Sequence, residues 1–375
     1  MVIVLVVDSF ENKSNGTSMT AARFCKALRE HGHSVRVVAP FVQGEGFYAL
    51  KERYIPLVTK LAHKQHILFG KPHEKTLRQA FEGADIVHLL LPFKLEKVAL
   101  KVARAMKIPF VGAFHLQPEH ITYNMRLQNL GWLNRLLFWW FKQSYYQHFT
   151  HIHCPSPFIK SELIKHNYGG KKYAISNGFD PMYAPRPHNT KSDDLYHIAM
   201  VGRYSPEKNQ RVLIEATHLS KHATKIQLHL KGQGPQLASL QKHASKLAHR
   251  VDFGFLEPDE LVKLLYQCDL YVHTADVEGE AIACLEAMAC GIVPIISDSK
   301  ISATNQFALD DRSLFKSNDP RDLADKIDWW LDHPEERLQA EEHYVQNATR
   351  YTLDKAIEQA LAMYQEVIED FKKIY

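Results

Sequence analysis

The stretch that decides the fold runs from Glu278 to Ile295 and reads EGEAIACLEAMACGIVPI. A short loop carrying one carboxylate, Glu278, leads into a helix-like run, and a second carboxylate, Glu286, lies further along that run. The first N–H groups of a helix have no partner within it, so they can hold an anion such as a diphosphate. The stretch therefore predicts an anion site at the start of a helix, with a carboxylate before it and another within it.

A basic turn precedes this stretch in the chain. The sequence GRYSPEKN at 202–209 follows a strand-like run, Ile198–Val201. Arg203 and Lys208 in such a turn can neutralise two phosphates, because a guanidinium binds oxygens in pairs and an ammonium acts as a point charge. A basic pair in a turn is more often an ordinary solvated surface, so the interpretation depends on the neighbouring motifs.

A glycine pair follows the next strand-like run, at Gly232 and Gly234. It permits close backbone approach, but Leu237 stands where a dinucleotide fingerprint needs its third glycine. No G-x-G-x-x-G follows the first strand-like run, Val2–Val7, either. A nucleotide-cofactor oxidoreductase is therefore disfavoured.

Strand-like and helix-like segments alternate in both halves of the chain, which is typical of parallel sheets covered by helices. The first half has strand-like Val2–Val7, Ser34–Val38, Ile86–Leu90 and Pro109–Phe114, with helices over Met19–His31 and Leu95–Met106. After a polar, proline-rich linker the second half has strand-like Ile198–Val201, Ile226–Leu230 and Leu270–His273, with helices near Gln210–Leu219 and Leu237–Ala248. Residues after Pro320 are predicted to be helical. We expect two doubly wound α/β domains.

These motifs together resemble family 4 of the retaining glycosyltransferases. That family's E-x7-E pattern, which leads into E-A-M-A-x-G-x-P-[VI], is similar to Glu278–Ile295, with one extra residue before Pro294. Its G-R-x-x-x-E-K-[GN] element is similar to 202–209, and its N-G-[VF]-D to 177–180. The matches keep the family's order from about residue 5 to about residue 295.

The resemblance implies the GT-B architecture, an α/β fold in which two Rossmann-like doubly wound domains face a cleft. Residues 1–180 would form the acceptor domain and residues 181–351 the donor domain. A last helix, at about 352–375, would return to the first domain.

The resemblance also implies roles for individual residues. The catalytic set would be His115, Arg203, Lys208 and Glu278. The donor-binding set would be Gly16, Thr17, Gly202, Gly234, Phe255, Leu256, Glu280, Ala281, Ile282 and Glu286. Glu286 would accept hydrogen bonds from the ribose and Glu278 would face the sugar.

Three of these assignments leave alternatives open. Glu280 stands where the family often has an aromatic residue or proline, so either Glu278 or Glu280 could touch the sugar, although spacing favours Glu278. His115 follows the strand Pro109–Phe114, where ligands gather in open α/β sheets, yet a lone histidine is more often structural. The turn before the first helix carries one glycine, and a plain helix cap at Thr17 or Ser18 is the alternative.

Charge is distributed unevenly along the chain. Residues 1–180 hold 24 Lys and Arg against 12 Asp and Glu, whereas the rest holds 22 against 30. A first half at +12 and a second at −8 indicate an anionic partner for the first half.

A segment without acidic residues, 120–161, contains the basic and aromatic side chains expected of a membrane interface. Its predicted membrane contacts are Arg126, Trp132, Arg135, Trp139, Trp140 and Lys142. Basic residues in 51–78 would add to the same face. The alternative is a buried core helix with an ordinary basic loop. Membrane-bound glucosyltransferases that make glycolipids resemble this pattern.

The resulting hypothesis is retaining transfer of a hexose, with glucose favoured, from a UDP-sugar to a membrane lipid or glycolipid such as diacylglycerol. A soluble saccharide or small-molecule acceptor and a non-catalytic nucleotide-sugar-binding protein remain alternatives. No cofactor or metal is expected, since neither D-x-D nor H-E-x-x-H is present. No nucleic-acid-binding module is visible.

The sequence also predicts where in the cell the protein is located. The five scattered cysteines suit a reducing cytoplasm. The first apolar run lacks the basic segment of a signal peptide, and no apolar stretch is long enough to span a bilayer. The predicted location is the cytoplasm, in peripheral contact with the inner face of the cell membrane.

Overall fold

A computed structural model describes residues 1–10, 16–56, 59, 63, 68–187 and 193–374. The chain forms two compact units. The first comprises Met1–Pro118, Gln128–Asn177 and Leu353–Tyr375, and the second comprises Glu119–Leu127 and Gly178–Thr352. Of the helices that the structure describes, none has the length and apolar character needed to cross a bilayer.

The first unit is built on a parallel sheet of seven strands in the order β3-β2-β1-β4-β5-β6-β7. Its strands are β1 (Val2–Val6), β2 (Ser34–Pro40), β3 (Phe47–Leu50), β4 (Ile86–Leu89), β5 (Phe110–Ala113), β6 (His151–Cys154) and β7 (Lys171–Ala174). Its helices are α1 (Gly16–Glu30), α2 (Glu74–Phe81), α3 (Lys94–Ala105), α5 (Gly131–Ser144), α6 (Pro157–Lys165) and α13 (Leu353–Ile374). Helix α4 (Pro118–Asn124) begins in this unit and continues into the second.

The second unit has a parallel sheet of six strands in the order β10-β9-β8-β11-β12-β13. Its strands are β8 (Tyr196–Val201), β9 (Ile226–Lys231), β10 (Asp252–Gly254), β11 (Leu270–His273), β12 (Val293–Ser297) and β13 (Leu314–Phe315). Its helices are α7 (Gln210–Leu219), α8 (Leu237–Ala244), α9 (Pro258–Gln267), α10 (Ile282–Ala289), α11 (Pro320–Asp332) and α12 (Pro334–Ala348).

Burial explains why the central strands are continuous apolar runs in the sequence. Residues Ile3 to Val6 of β1 are wholly buried, because helices cover both faces of a parallel sheet. The last helix, α13, shares one core with α1, in which Ile357 and Met363 pack with Ala21 and Leu28. The predicted fold, two Rossmann-like α/β domains, is confirmed.

Strand order reverses between β1 and β4 in the first sheet and between β8 and β11 in the second. Open α/β sheets bind ligands at the carboxyl ends of the strands beside such a reversal. In the second unit these ends are Val201 and His273, and the turns that follow them contain the two charged motifs found in the sequence.

Candidate functional site

The basic turn after β8 packs closely on the loop after β9. A Cβ at Gly232 would collide with the carbonyl oxygen of Gly202, and one at Gly234 would collide with the backbone of Tyr204. Both positions also have a positive φ, of 154° and 157°. The glycine pair thus lets two segments of the protein approach each other. A donor-binding role for Gly202 and Gly234 stays a prediction.

Arg203 forms an ion pair inside this turn. Its guanidinium lies 2.8 Å from the carboxylate of Glu207, a side chain with no solvent exposure. Ser205 donates a further hydrogen bond to the same carboxylate at 2.7 Å. Burial alone would raise the pKa of Glu207, but the charge of Arg203 and smaller contributions, which include the Ser205 hydrogen bond and the charge of Lys208, together lower that pKa. Glu207 is therefore ionised and fixes the guanidinium in place.

Lys208 connects the turn to the loop after β11. Its ammonium pairs with the carboxylate of Glu278, which also accepts a hydrogen bond from Nε2 of His273 at 3.0 Å. Burial would raise the pKa of Glu278, but Lys208 and His273 hold it well below its usual range. The carboxylate is thus charged and its position is fixed by two donors.

Backbone contacts hold the two loops together. The carbonyl of Lys208 accepts a hydrogen bond from the hydroxyl of Thr274 at 2.8 Å, and the carbonyl of Glu207 accepts one from the N–H of Asp276 at 2.8 Å. Asn209 takes the left-handed conformation, φ 53°, before α7 begins. These contacts fix the charged side chains before any ligand arrives.

Helix α10 begins four residues after Glu278. Ala281 is its N-terminal cap residue, and within the described part of the chain no side chain caps the helix. Its first N–H groups, at Ile282 and beyond, are therefore left for a ligand or water. Glu286 is buried in the same helix. The helix thus begins four residues after the carboxylate that pairs with Lys208.

Three other predicted donor-site residues lie in the second unit. Glu280 is half-buried and interacts electrostatically with Tyr351. Phe255 and Leu256 are half-buried and follow β10 directly. A donor-binding role for these three residues stays a prediction.

The structure also shows partners that the sequence did not single out. Glu207 pairs with Arg203, and His273 donates a hydrogen bond to Glu278. His120 interacts electrostatically with Arg203 and Lys208. The sequence placed Glu207 inside the basic motif and His273 at the end of a predicted strand. A position inside a motif and a position at the end of a strand are the sequence features that could have identified these two residues.

Three predicted site residues lie in the first unit. Gly16 and Thr17 start α1, and Asn15 of the same turn lies outside the described residues. His115 follows β5, as predicted, and its ring lies 5.3 Å from that of His153. Burial, with a contribution from His153, lowers the pKa of His115 to about 3. His115 is therefore neutral at physiological pH.

Helix α5 is not a core helix. Trp132, Trp139 and Trp140 are 59%, 57% and 47% exposed, whereas Phe138 and Phe141 are buried. The core alternative is therefore wrong for the three tryptophans. Arg126 and Arg135 are exposed and Lys142 is half-buried. Lys60 and Lys64 of the basic segment lie outside the described residues.

A basic face of α3 lies beside α5. Lys94, Lys97, Lys101 and Arg104 recur at helical spacing along it. The ammonium of Lys97 lies 4.6 Å from the ring centre of Trp140 and donates a hydrogen bond to Ser144 at 3.0 Å. Cations and exposed indole rings thus share one surface of the first unit.

One group of described residues could hold a metal ion, namely His151, Glu366 and Asp370 in the first unit. Both of its carboxylates already pair with the ammonium of Lys171, at 2.5 and 3.0 Å. None of these residues belongs to the charged loops of the second unit.

Comparison with known proteins identifies the class. A model of "Glycosyltransferase Family 4" matches residues 14–183, and a model of "Glycosyl transferases group 1" matches residues 185–350. Together they span nearly the whole chain. The protein therefore belongs to glycosyltransferase family 4, and it is a transferase.

Individual relatives add detail. Alpha-monoglucosyldiacylglycerol synthase of Streptococcus pneumoniae is 23% identical over 315 residues, 79% of this chain and 71% of that protein. The catalytic domain of cholesterol-alpha-glucosyltransferase from Helicobacter pylori is 54% identical, covering 42% of this chain and 99% of that domain, with a TM-score of 0.41. Anabaena HepE in complex with UDP and glucose is 16% identical over the full length of both chains, with a TM-score of 0.73. The HepE likeness shows the shared GT-B fold.

The buried pair Arg203–Glu207 gives a prediction about stability. Arg203→Ala should destabilise the protein by about 3 kcal/mol, because it leaves the charge of Glu207 buried without a partner. Adding Glu207→Gln should restore most of that loss, since the unpaired charge is then gone. Urea unfolding of the single and double variants measures both effects. Equal stability of the two variants would show that the pair does not hold the turn.

Proposed function

We propose that this protein is a retaining glycosyltransferase that moves glucose from UDP-glucose to a hydroxyl-bearing membrane lipid. The observation that carries the proposal is the pairing of Lys208 with Glu278, four residues before the uncapped N-terminus of α10. Cations and free N–H groups at one place suit a diphosphate, and a fixed carboxylate beside them suits sugar hydroxyls.

The donor would bind through groups that the second unit already holds in place. Arg203 and Lys208 would contact the diphosphate, together with the first N–H groups of α10. Glu286 would accept hydrogen bonds from the ribose, and Glu278 would accept them from the sugar. Glu278 keeps its partners Lys208 and His273, so it acts as an acceptor of fixed orientation.

The reaction would take place on one face of the sugar. The bond from the anomeric carbon to the diphosphate oxygen breaks, and the bond to the acceptor oxygen forms on the same side. The acceptor proton passes to the departing diphosphate oxygen. Glu278 is a poor nucleophile because two donors hold its carboxylate, which favours this front-face route over a covalent intermediate.

Charge stabilisation would come from the protein itself. Negative charge develops on the diphosphate as it leaves, and Arg203, Lys208 and the positive end of α10 are placed to stabilise it. These groups can do the work that a divalent cation does in other transferases. The proposed reaction therefore needs no metal.

Relatives guide the choice of donor and acceptor. HepE shares the fold and binds UDP and glucose, so UDP-glucose is the first donor to test. The Streptococcus pneumoniae relative is named for making α-monoglucosyldiacylglycerol, which makes diacylglycerol the first acceptor to test. UDP-glucose carries an α-linked sugar, so an α-linked product would mean retention.

Transfer itself is the first prediction of this proposal. Radiolabelled UDP-glucose, incubated with vesicles that contain diacylglycerol or cholesterol, should give label in the lipid phase with an α linkage. Excess EDTA should leave the rate unchanged. Lys208→Met should lower it about a hundredfold or more, because the leaving group loses a cation. Lys242→Met, on the exposed surface of α8, is the matched control.

Other outcomes would select the alternatives. Label confined to water-soluble saccharides would indicate a soluble acceptor, and nucleotide binding without turnover would indicate a non-catalytic binding protein. Loss of activity in EDTA that magnesium or manganese restores would contradict the role given to Arg203 and Lys208.

Access to a lipid acceptor would come from the first unit. The exposed indoles of α5 would enter the headgroup region, and Lys94, Lys97 and Lys101 on α3 would face anionic lipid. Arg135 and Lys142 of the same unit would add further cations, while Arg126 belongs to the segment that packs with the second unit. The protein would then bind the inner face of the cell membrane from the cytoplasm without crossing it.

Vesicle binding should separate the contribution of the basic side chains from that of the tryptophan rings. Each basic side chain near an anionic surface is worth about 1 kcal/mol, an attraction that salt screens, whereas ring insertion depends on apolar contact. Lys94→Gln with Lys101→Gln should therefore weaken binding at low salt. Replacing Trp132, Trp139 and Trp140 with Ser should release the protein at moderate salt.

Co-sedimentation with vesicles of increasing anionic fraction measures both effects, with circular dichroism as a check on folding. The control is Lys242→Gln with Lys246→Gln on the second unit, where both side chains are exposed. Wild-type protein that ignores anionic vesicles at low salt would contradict the membrane role and favour a soluble acceptor.

A further inference from the structure

His120 occupies an unusual place in the chain. It lies on α4, among residues that belong to the first half of the sequence, yet Glu119–Leu127 packs with the second unit. Its side chain is half-buried. Within the described ranges no hydrogen bond engages its ring nitrogens, while its carbonyl accepts one from Asn124 at 2.7 Å. The imidazole is thus available to a ligand.

The neighbours of His120 are the charged groups of the candidate donor site. Its ring interacts electrostatically with four charged residues, namely Arg203, Glu207, Lys208 and Glu278. Tyr123 lies three residues along the same helix and interacts with Asp276, in the loop after β11. His120 and Tyr123 share one helical face. Both side chains of that face therefore interact electrostatically with the loops that follow β8 and β11, in the unit with which this segment packs.

Without a donor, burial favours the neutral form of the ring. Burial lowers the pKa of His120, while the charges of Glu207 and Glu278 on one side and Lys208 and Arg203 on the other oppose each other. A diphosphate bound at Arg203 and Lys208 would add negative charge without adding a cation. Nearby negative charge favours the protonated form of an imidazole.

We propose that His120 binds the diphosphate of the donor as an imidazolium, as a third cation beside Arg203 and Lys208. The inference rests on the proposed donor site and extends it to a residue outside the sequence motifs. Donor binding then takes up a proton. His120 also contributes to stabilising the leaving group, since the same cation faces the charge that develops on it.

The test is the pH dependence of UDP affinity, measured by isothermal titration calorimetry from pH 6 to pH 8.5 on wild type and His120→Gln. Affinity should fall as pH rises in the wild type relative to the variant, because the proton gained on binding becomes harder to acquire. The phosphate groups of UDP also titrate with pH, but they do so equally for both proteins. Their effect therefore cancels in the ratio of the wild-type affinity to the variant affinity. We expect the wild type to bind UDP about tenfold more tightly than His120→Gln at pH 6, and the ratio of the two affinities to approach one at pH 8.5.

Two controls accompany the test. His218→Gln, on the exposed surface of α7, should match the wild type at every pH. His120→Asn tests whether loss of packing explains the effect, since it should show the same pH dependence as His120→Gln. Thermal melting of each variant verifies that the second unit remains folded.

The outcomes are distinct. A ratio of one at every pH, or a ratio that does not change with pH, would overturn the role of His120 while leaving the donor site intact. Failure of the wild type itself to bind UDP would overturn the donor site and this inference together.

Discussion

The ion pair between Lys208 and Glu278 is the interaction on which the site depends. It joins the turn after β8 to the loop after β11, and these strands flank the reversal of strand order in the second sheet. Removing either partner would leave a charge in a largely buried position, which is costly. The pair therefore constrains the positions of both loops, and through Glu278 it constrains the start of α10.

The rest of the charged cluster follows from that constraint. His273 adds a second donor to Glu278, and Glu207 holds Arg203 next to Lys208 along the same turn. Each cation already has an anionic partner, so the protein tolerates them close together without a ligand. A diphosphate would find cations and free N–H groups in fixed positions, and little reorganisation would be needed as charge develops.

The sequence predicted the fold because its central strands are buried on both faces. Runs such as Ile198–Val201 and Leu270–His273 are apolar and bounded by turns, so their type and place were clear. Strands β6 (HIHC) and β7 (KKYA) were not predicted, because four-residue segments that mix polar and apolar side chains are too short to show a clear period. Helix α8 ends at Ala244 rather than Ala248, since polar residues at its end give no stop signal.

The sequence likewise predicted some residues of the candidate site and missed others. Local motifs placed Arg203, Lys208, Glu278 and Glu286, because their spacing is fixed within a turn or a helix. The partners Glu207 and His273 emerge only when the two loops meet, and His120 joins them from a segment distant in sequence. Exposure of the tryptophans of α5 likewise depends on what packs against the helix, which periodicity does not reveal.

The central claim is that this cluster recognises a diphosphate, and the most direct measurement is the ratio of the affinities for UDP and UMP in the presence of EDTA. The two nucleotides share base and ribose and differ by one phosphate. We expect UDP to bind at least about tenfold more tightly than UMP, since the second phosphate gains charge-assisted hydrogen bonds. Equal affinities, or a preference for UDP that appears only when a divalent cation is added, would contradict it.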